Sequence, residues 1–248
     1  MQKYLYQKMY EVETTHWWFQ AKKDILIQLI KNKIIPQLSK SEINIADIGC
    51  GAGLLLDSLS KFGHVTGIDY SNNAIEFCKN SFSGELIQAD CGTTDLNINK
   101  KFDLIIATDL IEHIKDDRIA INNIYNLLND NGYAIITVPA FQFLWSQHDV
   151  INMHYRRYSF KTLYEAIKTT PFNICYLSYY NFFLFLPALI VRITKKILNI
   201  DKKSDLEFST PPNLVNKLFY KLFYSESKFI TKRKKFPFGV SLIAIIKK

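Results

Sequence analysis

The segment I-A-D-I-G-C-G-A-G-L-L-L at 45–56 gathers Gly49, Gly51 and Gly53, three of the chain's nine glycines, within five residues. An apolar run that enters such a turn and leaves as a helix lets a ligand approach backbone where a Cβ would otherwise intrude. Asp69 follows Gly49 by twenty residues, at the end of the next β-branched run, where a carboxylate can accept hydrogen bonds from ribose hydroxyls. The spacing therefore predicts a nucleoside site. A dinucleotide fingerprint needs glycine at position 54, where the chain has Leu54, and no phosphate-loop G-K-[ST] ending is present. Asp47, just before the loop, would repel a phosphate and attract an amino group and a sulfonium. These features point to S-adenosylmethionine.

A methyl acceptor must present a lone pair in line with methyl and sulfur, and an alcohol or phenol benefits from a base. His113 lies in D-L-I-E-H-I, just past a strand-like run; His148 and His154 lie in P-A-F-Q-F-L-W-S-Q-H-D-V-I-N-M-H-Y-R-R-Y, past the next one. All three are expected at one edge, with His113 or His154 as the catalytic base if one is required; an acceptor that arrives already ionised needs none. The alternatives are that His113 packs a helix start and contacts the cofactor, and that the other two sit in a loop held by Asp149 and the arginines. Arg156 and Arg157 could clamp a phosphate or carboxylate, or form a surface pair. Positions 113, 148 and 154 match no recognised ligand spacing, so no metal is expected. Cys50, Cys78, Cys91 and Cys175 form no C-x-x-C pair, and the first residues lack a signal-peptide run, which predicts free thiols and a cytoplasmic protein.

These residues must be positioned by an α/β scaffold. Short β-branched runs at 43–49, 64–70, 85–90, 102–109 and 133–139 alternate with helical patterns over Leu54–Phe62, Asn72–Asn80 and Asp116–Leu128, the signature of a parallel sheet with crossover helices. Asn129–Gly132 reads as a C-cap and turn before the fifth strand. Ser159–Thr170 reads as a helix, and Phe172–Tyr179 and the last residues as further strands. Ahead of the sheet, Tyr6–Trp18 and Asp24–Ile35 read as helices, the second ending at Pro36. Trp17, Trp18 and Phe19 cannot all share one helix stripe, so at least one is expected to cover a cleft or pack across to another element.

The ordered set D-I-G-C-G-A-G, G-I-D-Y at 67–70, A-D-C at 89–91 and D-L-I-E-H-I at 109–114 resembles class I S-adenosylmethionine-dependent methyltransferases, above all the branch with quinone-biosynthesis and small-molecule or sugar methyltransferases. The resemblance implies a Rossmann-like, seven-stranded, mostly parallel sheet. It implies that Gly49, Cys50, Gly51 and Gly53 line the methionine part of the cofactor, with Asp47 close to its amino group. It further implies that Asp69 holds the ribose, Tyr70 packs on the adenine, Asp90 and Cys91 meet the adenine, and Thr108 and Asp109 border the methionine end. The H-W-W-F preface and the H-x-R-R-Y segment are similar to a subgroup linked to cell-surface glycan or lipid-linked sugar pathways, although Lys22 and Lys23 stand where that subgroup has arginines.

With 48% hydrophobic and 22% charged residues the chain excludes a disordered class, and its net charge is +8. Residues 182–239 carry 12 Lys and Arg against four acids, so all the excess charge lies there. Its apolar runs, 182–191 and 214–224, are fringed by basic residues, the latter by Lys217 and Lys221, as in helices lying on an anionic membrane surface. The expected organisation is a lid at 1–40, a methyltransferase core at 41–181 plus 240–248, and a basic helical insertion at 182–239. The expected function is methyl transfer to an oxygen of a small-molecule, sugar or lipid-linked acceptor, peripheral to the inner membrane face. A homodimer interface is the alternative use of the insertion. A non-catalytic S-adenosylmethionine-binding subunit and an RNA methyltransferase are the alternative functions; nucleic acid is disfavoured because the aromatics lie among aliphatics.

Overall fold

The computed structural model describes residues 3–38, 40–198 and 210–248, so Asp201, Lys202, Lys203, Asp205 and Glu207 of the basic segment lie outside the described residues. The β-branched runs become β1 (Asn44–Ile48), β2 (His64–Asp69), β3 (Glu85–Gln88), β4 (Phe102–Thr108) and β5 (Leu128–Pro139), joined by β6 (Asn173–Tyr180) and β7 (Ser241–Lys247). They form one sheet in the order β3-β2-β1-β4-β5-β7-β6, with β7 antiparallel to both its neighbours and the other pairs parallel. The strand order reverses between β1 and β4. Ligands of such sheets sit in the crevice beyond the carboxyl ends at that point.

Helices α3 (Leu56–Leu59), α4 (Asn72–Cys78), α5 (Asp117–Leu127), α6 (Gln147–Ile151) and α7 (Phe160–Ile167) flank the sheet. Apolar residues on its two faces make two cores, one around Ile45, Ile106 and Ile243 beneath the amino-terminal helices, the other around Ile105, Ile136 and Leu163 beneath α5 and α7. Two local expectations are corrected. The helix expected over Leu54–Phe62 contracts to the single turn α3, because the glycine turn runs on before it. Asn129–Gly132 belongs to β5: Leu128 already pairs with Phe102, the register shifts between Phe102 and Leu104, and Asn131 takes a φ of 65°. The turn residues make an irregularity within the strand.

The preface forms α1 (Lys3–Thr15) and α2 (Trp17–Leu29), followed by a π-helical turn (Ile30–Ile34) and a 3₁₀ turn containing Pro36. The break falls at His16, earlier than the sequence pattern predicts. His16 turns extended, at φ −79° and ψ 133°, and its Nδ1 accepts a hydrogen bond from the Trp18 amide at 3.2 Å. Residues 182–239 supply α8 (Phe185–Ile197), α9 (Asn213–Tyr224) and α10 (Ser227–Ile230). Asn216 of α9 stitches the break, accepting from the Trp17 amide and donating to the Thr15 carbonyl, both at 2.8 Å. Trp17 packs edge-on against Phe219 and Phe223 of α9, while Trp18 stays with Phe19 under the Lys22 ammonium. Of the three consecutive aromatics, all on α2, Trp17 packs across to a second helix. On their outer faces, α8 exposes Leu186, Ile190, Ile193 and Ile197, and α9 exposes Leu214, Leu218 and Leu222. Among the described residues no helix is long and apolar enough to cross a membrane.

Candidate functional site

The glycine loop lies at the carboxyl end of β1. Gly49, Gly51 and Gly53 have φ values of 76°, 55° and 84°, a region that an L side chain rarely adopts. The amides of Gly49 and Cys50 donate to the Ile68 carbonyl at 2.7 and 3.1 Å, which ties the loop to the end of β2. A Cβ on Gly49 would lie 2.9 Å from Leu110 Cδ1, and one on Gly51 3.1 Å from Met9 Cε of α1. The amino-terminal helices therefore lie directly over the loop.

Asp69 ends β2 and is buried; its Oδ2 accepts from the Gly51 amide at 3.0 Å and its Oδ1 from the Ser71 amide at 2.9 Å. These bonds fix the carboxylate, and each oxygen keeps a further lone pair for a ligand. Tyr6 of α1 donates to Ser71 Oγ at 2.9 Å, a second tether of the lid. Asp47 is buried at the end of β1; burial, with a contribution from the Asp69 charge, raises its pKa to about 7 against the opposing pull of Lys22. Burial likewise raises Glu13 of α1 to about 7, Lys22 opposing and Asp47 adding to the rise. Tyr70 is exposed, as is Asp90, whose Oδ1 accepts from the Gly92 amide at 2.7 Å. Cys91 is buried, and its carbonyl accepts from the Asn123 side chain at 2.9 Å. Thr108 ends β4. Asp109, at φ 49°, accepts from the Thr137 hydroxyl at 3.2 Å and forms an ion pair with Lys22 of α2. Left-handed glycines free of side chains, with two buried carboxylates beside them, suit a ligand carrying both an ammonium and a ribose.

The other half of the cleft is built around a 3₁₀ turn at Ile111–His113. The Glu112 carbonyl accepts from the Tyr155 amide at 2.8 Å, which draws the segment after α6 against that turn. His113 and His154 meet edge to face, with ring centroids 4.5 Å apart. His148 is close to the same pair, 6.2 Å from the His154 ring centroid. Ligand-capable atoms of Glu112, His113 and His154 all lie within 4.8 Å of one another. His154 Nδ1 bonds Asp149 Oδ1 at 3.0 Å, and Arg157 grips both oxygens of the same carboxylate, at 2.7 and 3.0 Å. Although burial opposes it, those donors hold the Asp149 carboxyl well below the usual range. Loss of water around the His113 ring, together with the neighbouring His154, lowers the His113 pKa and favours the neutral imidazole.

The arginines settle differently from the expected anion clamp or surface pair. Arg157 is buried and committed to Asp149, and Arg156 pairs with Asp117 at 3.0 Å. Asp149, Glu112 and Lys22 have structural parts that the sequence pattern did not assign. The available signals were a glutamate beside a histidine in the apolar run D-L-I-E-H-I, and a serine three residues ahead of an aspartate, which forms the Ser146–Asp149 capping box of α6. Lys22, seen only as a departure from an arginine pattern, interacts electrostatically with Asp47 on one side and with Glu112 on the other. Its ion pair with Asp109 joins α2 to the strand end that precedes the Ile111–His113 turn.

A methyltransferase-domain family model matches residues 16–174, well over half of the chain. The ubiquinone biosynthesis O-methyltransferase of Coxiella burnetii is 32% identical over 125 residues, covering 47% of this chain and 53% of that protein. The protein of the same name from Pelagibacter ubique is 32% identical over 123 residues, 45% of this chain and 51% of its own length. The chain thus spans about half the length of the curated relatives it matches. Among solved structures, a S-adenosylmethionine-dependent methyltransferase from Clostridium acetobutylicum shares the fold with a TM-score of 0.58 at 15% identity, over 89% of each chain. The [4+2]-cyclase SpnF shares it with a TM-score of 0.57 at 14% identity, over 91% of this chain and 80% of its own. The family match, the strand order and the cofactor-type loop agree, and the chain belongs to the methyltransferase domain family, as a class I S-adenosylmethionine-dependent member.

Proposed function

We propose that the protein transfers a methyl group to an oxygen of a small-molecule, sugar or lipid-linked acceptor, with residues 1–40 as lid, 41–181 plus 240–248 as catalytic core, and 182–239 as a docking insertion. The observation that carries this reading is the Lys22–Asp109 ion pair, which ties α2 of the lid to the end of β4 that leads into the Ile111–His113 turn. S-adenosylmethionine, when bound, supplies an electrophilic methyl. Asp47 faces the ammonium, Asp69 holds the ribose hydroxyls, and Gly49, Cys50, Gly51 and Gly53 give the methionine part close backbone approach. Tyr70, Asp90 and Cys91 border the adenine, and Thr108 and Asp109 the methionine end. His113 and His154 meet the acceptor and take up its hydroxyl proton. The oxygen preference follows from the neutral His113 imidazole, which meets the His154 ring edge to face, and from the names of the curated relatives.

The lipid-surface part of the proposal rests on the outward stripes of α8 and α9. Leu186, Ile190, Ile193 and Ile197 recur at helical spacing on a segment that holds all the net positive charge of the chain. Burying each such side chain is worth up to about 1.5–3 kcal/mol, enough in combination for reversible interfacial binding.

Two measurements test these parts separately. Purified protein incubated with S-adenosylmethionine and a lipid-containing cell extract is expected to release S-adenosylhomocysteine with a mass increase of one methyl group in one extract component. Cofactor binding without product in any fraction would favour a non-catalytic binder. For docking, flotation with anionic vesicles should recover the wild type and lose the Leu186→Ser/Ile190→Ser/Ile193→Ser variant. Equal recovery of both would remove the membrane reading, and dimer dissociation by the same variant would assign the stripe to a second copy of the chain.

A further inference from the structure

We propose that Glu112, His113 and His154 form a binding site for one divalent transition cation of the zinc class. Their ligand atoms lie within 4.8 Å of one another, the span of a shared coordination sphere. Two imidazoles and one carboxylate are a donor set that such a cation takes with positions left open for an exogenous oxygen.

Independent support comes from Glu112 itself. It is completely buried, and neither of its carboxylate oxygens has a hydrogen-bond partner. A buried carboxyl with both oxygens unsatisfied costs free energy in the empty protein, and a cation facing it removes that cost. The surrounding groups are arranged as metal ligands require. His154 is fixed through Nδ1 by Asp149, leaving Nε2 to coordinate, and Asp149 is itself clamped by Arg157. The Asn152 backbone lies beside the His113 ring and favours its protonated nitrogen. Carboxylate or carbonyl groups that hold the second nitrogen of a ligating histidine set its tautomer and orientation in this way. His113 is exposed, so the cluster opens to solvent and a cation has an entry path. The sequence separation of 41 residues between His113 and His154 is what conceals the set: a 3₁₀ turn and the segment after α6 meet through tertiary contacts, among them the hydrogen bond from the Tyr155 amide to the Glu112 carbonyl and the edge-to-face contact of the two rings.

The inference rests on the reading of this cluster as the acceptor end of the cleft and deepens it. A coordinated cation would hold an acceptor hydroxyl at an open position and lower its pKa, and with both imidazoles then ligating, the proton would leave to solvent instead of to His113 or His154.

The test uses the full chain, dialysed against chelator and titrated with Co²⁺ alone, whose visible absorption reports nitrogen and oxygen ligation. One equivalent is expected, displaced by Zn²⁺. Glu112→Gln, an isosteric change that leaves no buried charge, and His113→Ala, at an exposed position, should abolish the bands. His64→Ala, at the opposite end of β2, should retain them. No bands in the wild type, or equal bands in Glu112→Gln and His113→Ala, would overturn the site. Calorimetry with S-adenosylhomocysteine on the same samples separates the two readings. Nucleoside binding without Co²⁺ binding removes the cation and leaves the methyl-transfer reading, whereas Co²⁺ binding without nucleoside binding retains the cation site and removes the donor site.

Discussion

The two halves of the cleft are built by opposite means. The donor half comes from one uninterrupted run of sequence, Asp47 to Gly53, with Asp69 added at the next strand end, and most of its contacts are backbone to backbone or backbone to carboxylate. The acceptor half has no such run. It is a set of side chains in which Arg157 holds Asp149, Asp149 holds His154, and the His113 ring packs on His154 with Glu112 beside them. Backbone geometry survives the loss of a side chain, whereas a relay of buried polar groups does not. The donor half should therefore be robust to single substitutions that disable the acceptor half.

The largest effect is expected at the relay's anchor. Arg157→Ala strips Asp149 of its strongest partner and leaves a buried carboxylate, a kind of change that costs about 3–5 kcal/mol of folding stability. Denaturant unfolding should show that loss, while S-adenosylhomocysteine affinity in the remaining folded protein stays within about threefold of wild type. Stability close to wild type would mean that the relay is solvated in solution, and the contrast between the halves would fail.

On the donor side, Asp69→Ala removes the ribose acceptor together with the bonds it accepts from the Gly51 and Ser71 amides. Loss of charge-assisted hydrogen bonds to a ribose is worth about 1.5–3 kcal/mol, so calorimetry should show cofactor affinity reduced about 10- to 100-fold. The unfolding midpoint should move much less than in Arg157→Ala. Unchanged affinity would refute the ribose contact.

The same contrast explains what the sequence discloses. Strand order, glycine turn and strand-end acids are legible because their spacing is dictated by strand and crossover lengths, which constrain residues near in sequence. Glu112 is not legible, since a glutamate after a strand ordinarily faces water, and its burial depends on Tyr155 closing over the turn. Arg157 reads as a surface or anion-binding residue until α6 supplies Asp149. The His16 break escapes notice for a related reason: the side chain that stabilises it, Asn216, is 199 to 201 residues away from its partners. The basic segment shows both behaviours, its amphipathic stripes being local and readable, its attachment to α2 through Trp17 not.

The smallest effect concerns proton balance at Asp47, where the donor half does depend on a side chain. Asp69 of β2, Lys22 of α2 and, through its own shift, Glu13 of α1 act electrostatically on it. The pKa of about 7 in the folded chain stands above the ordinary 3.8, so the folded state binds more protons than the unfolded one between those values. Without ligand, stability should fall as pH rises through that window. A ligand ammonium beside Asp47 reverses the preference, because it favours the carboxylate. Binding at pH 6 must then expel a proton, and affinity for S-adenosylhomocysteine should increase about tenfold between pH 6 and pH 8. Calorimetry in two buffers of different ionisation enthalpy counts the proton directly. Asp47→Asn should flatten the dependence and Glu13→Gln should leave most of it, since no ligand group is assigned to the lid carboxyl. A wild-type affinity independent of pH would place the ammonium elsewhere, and the donor half would then rest on backbone and Asp69 alone.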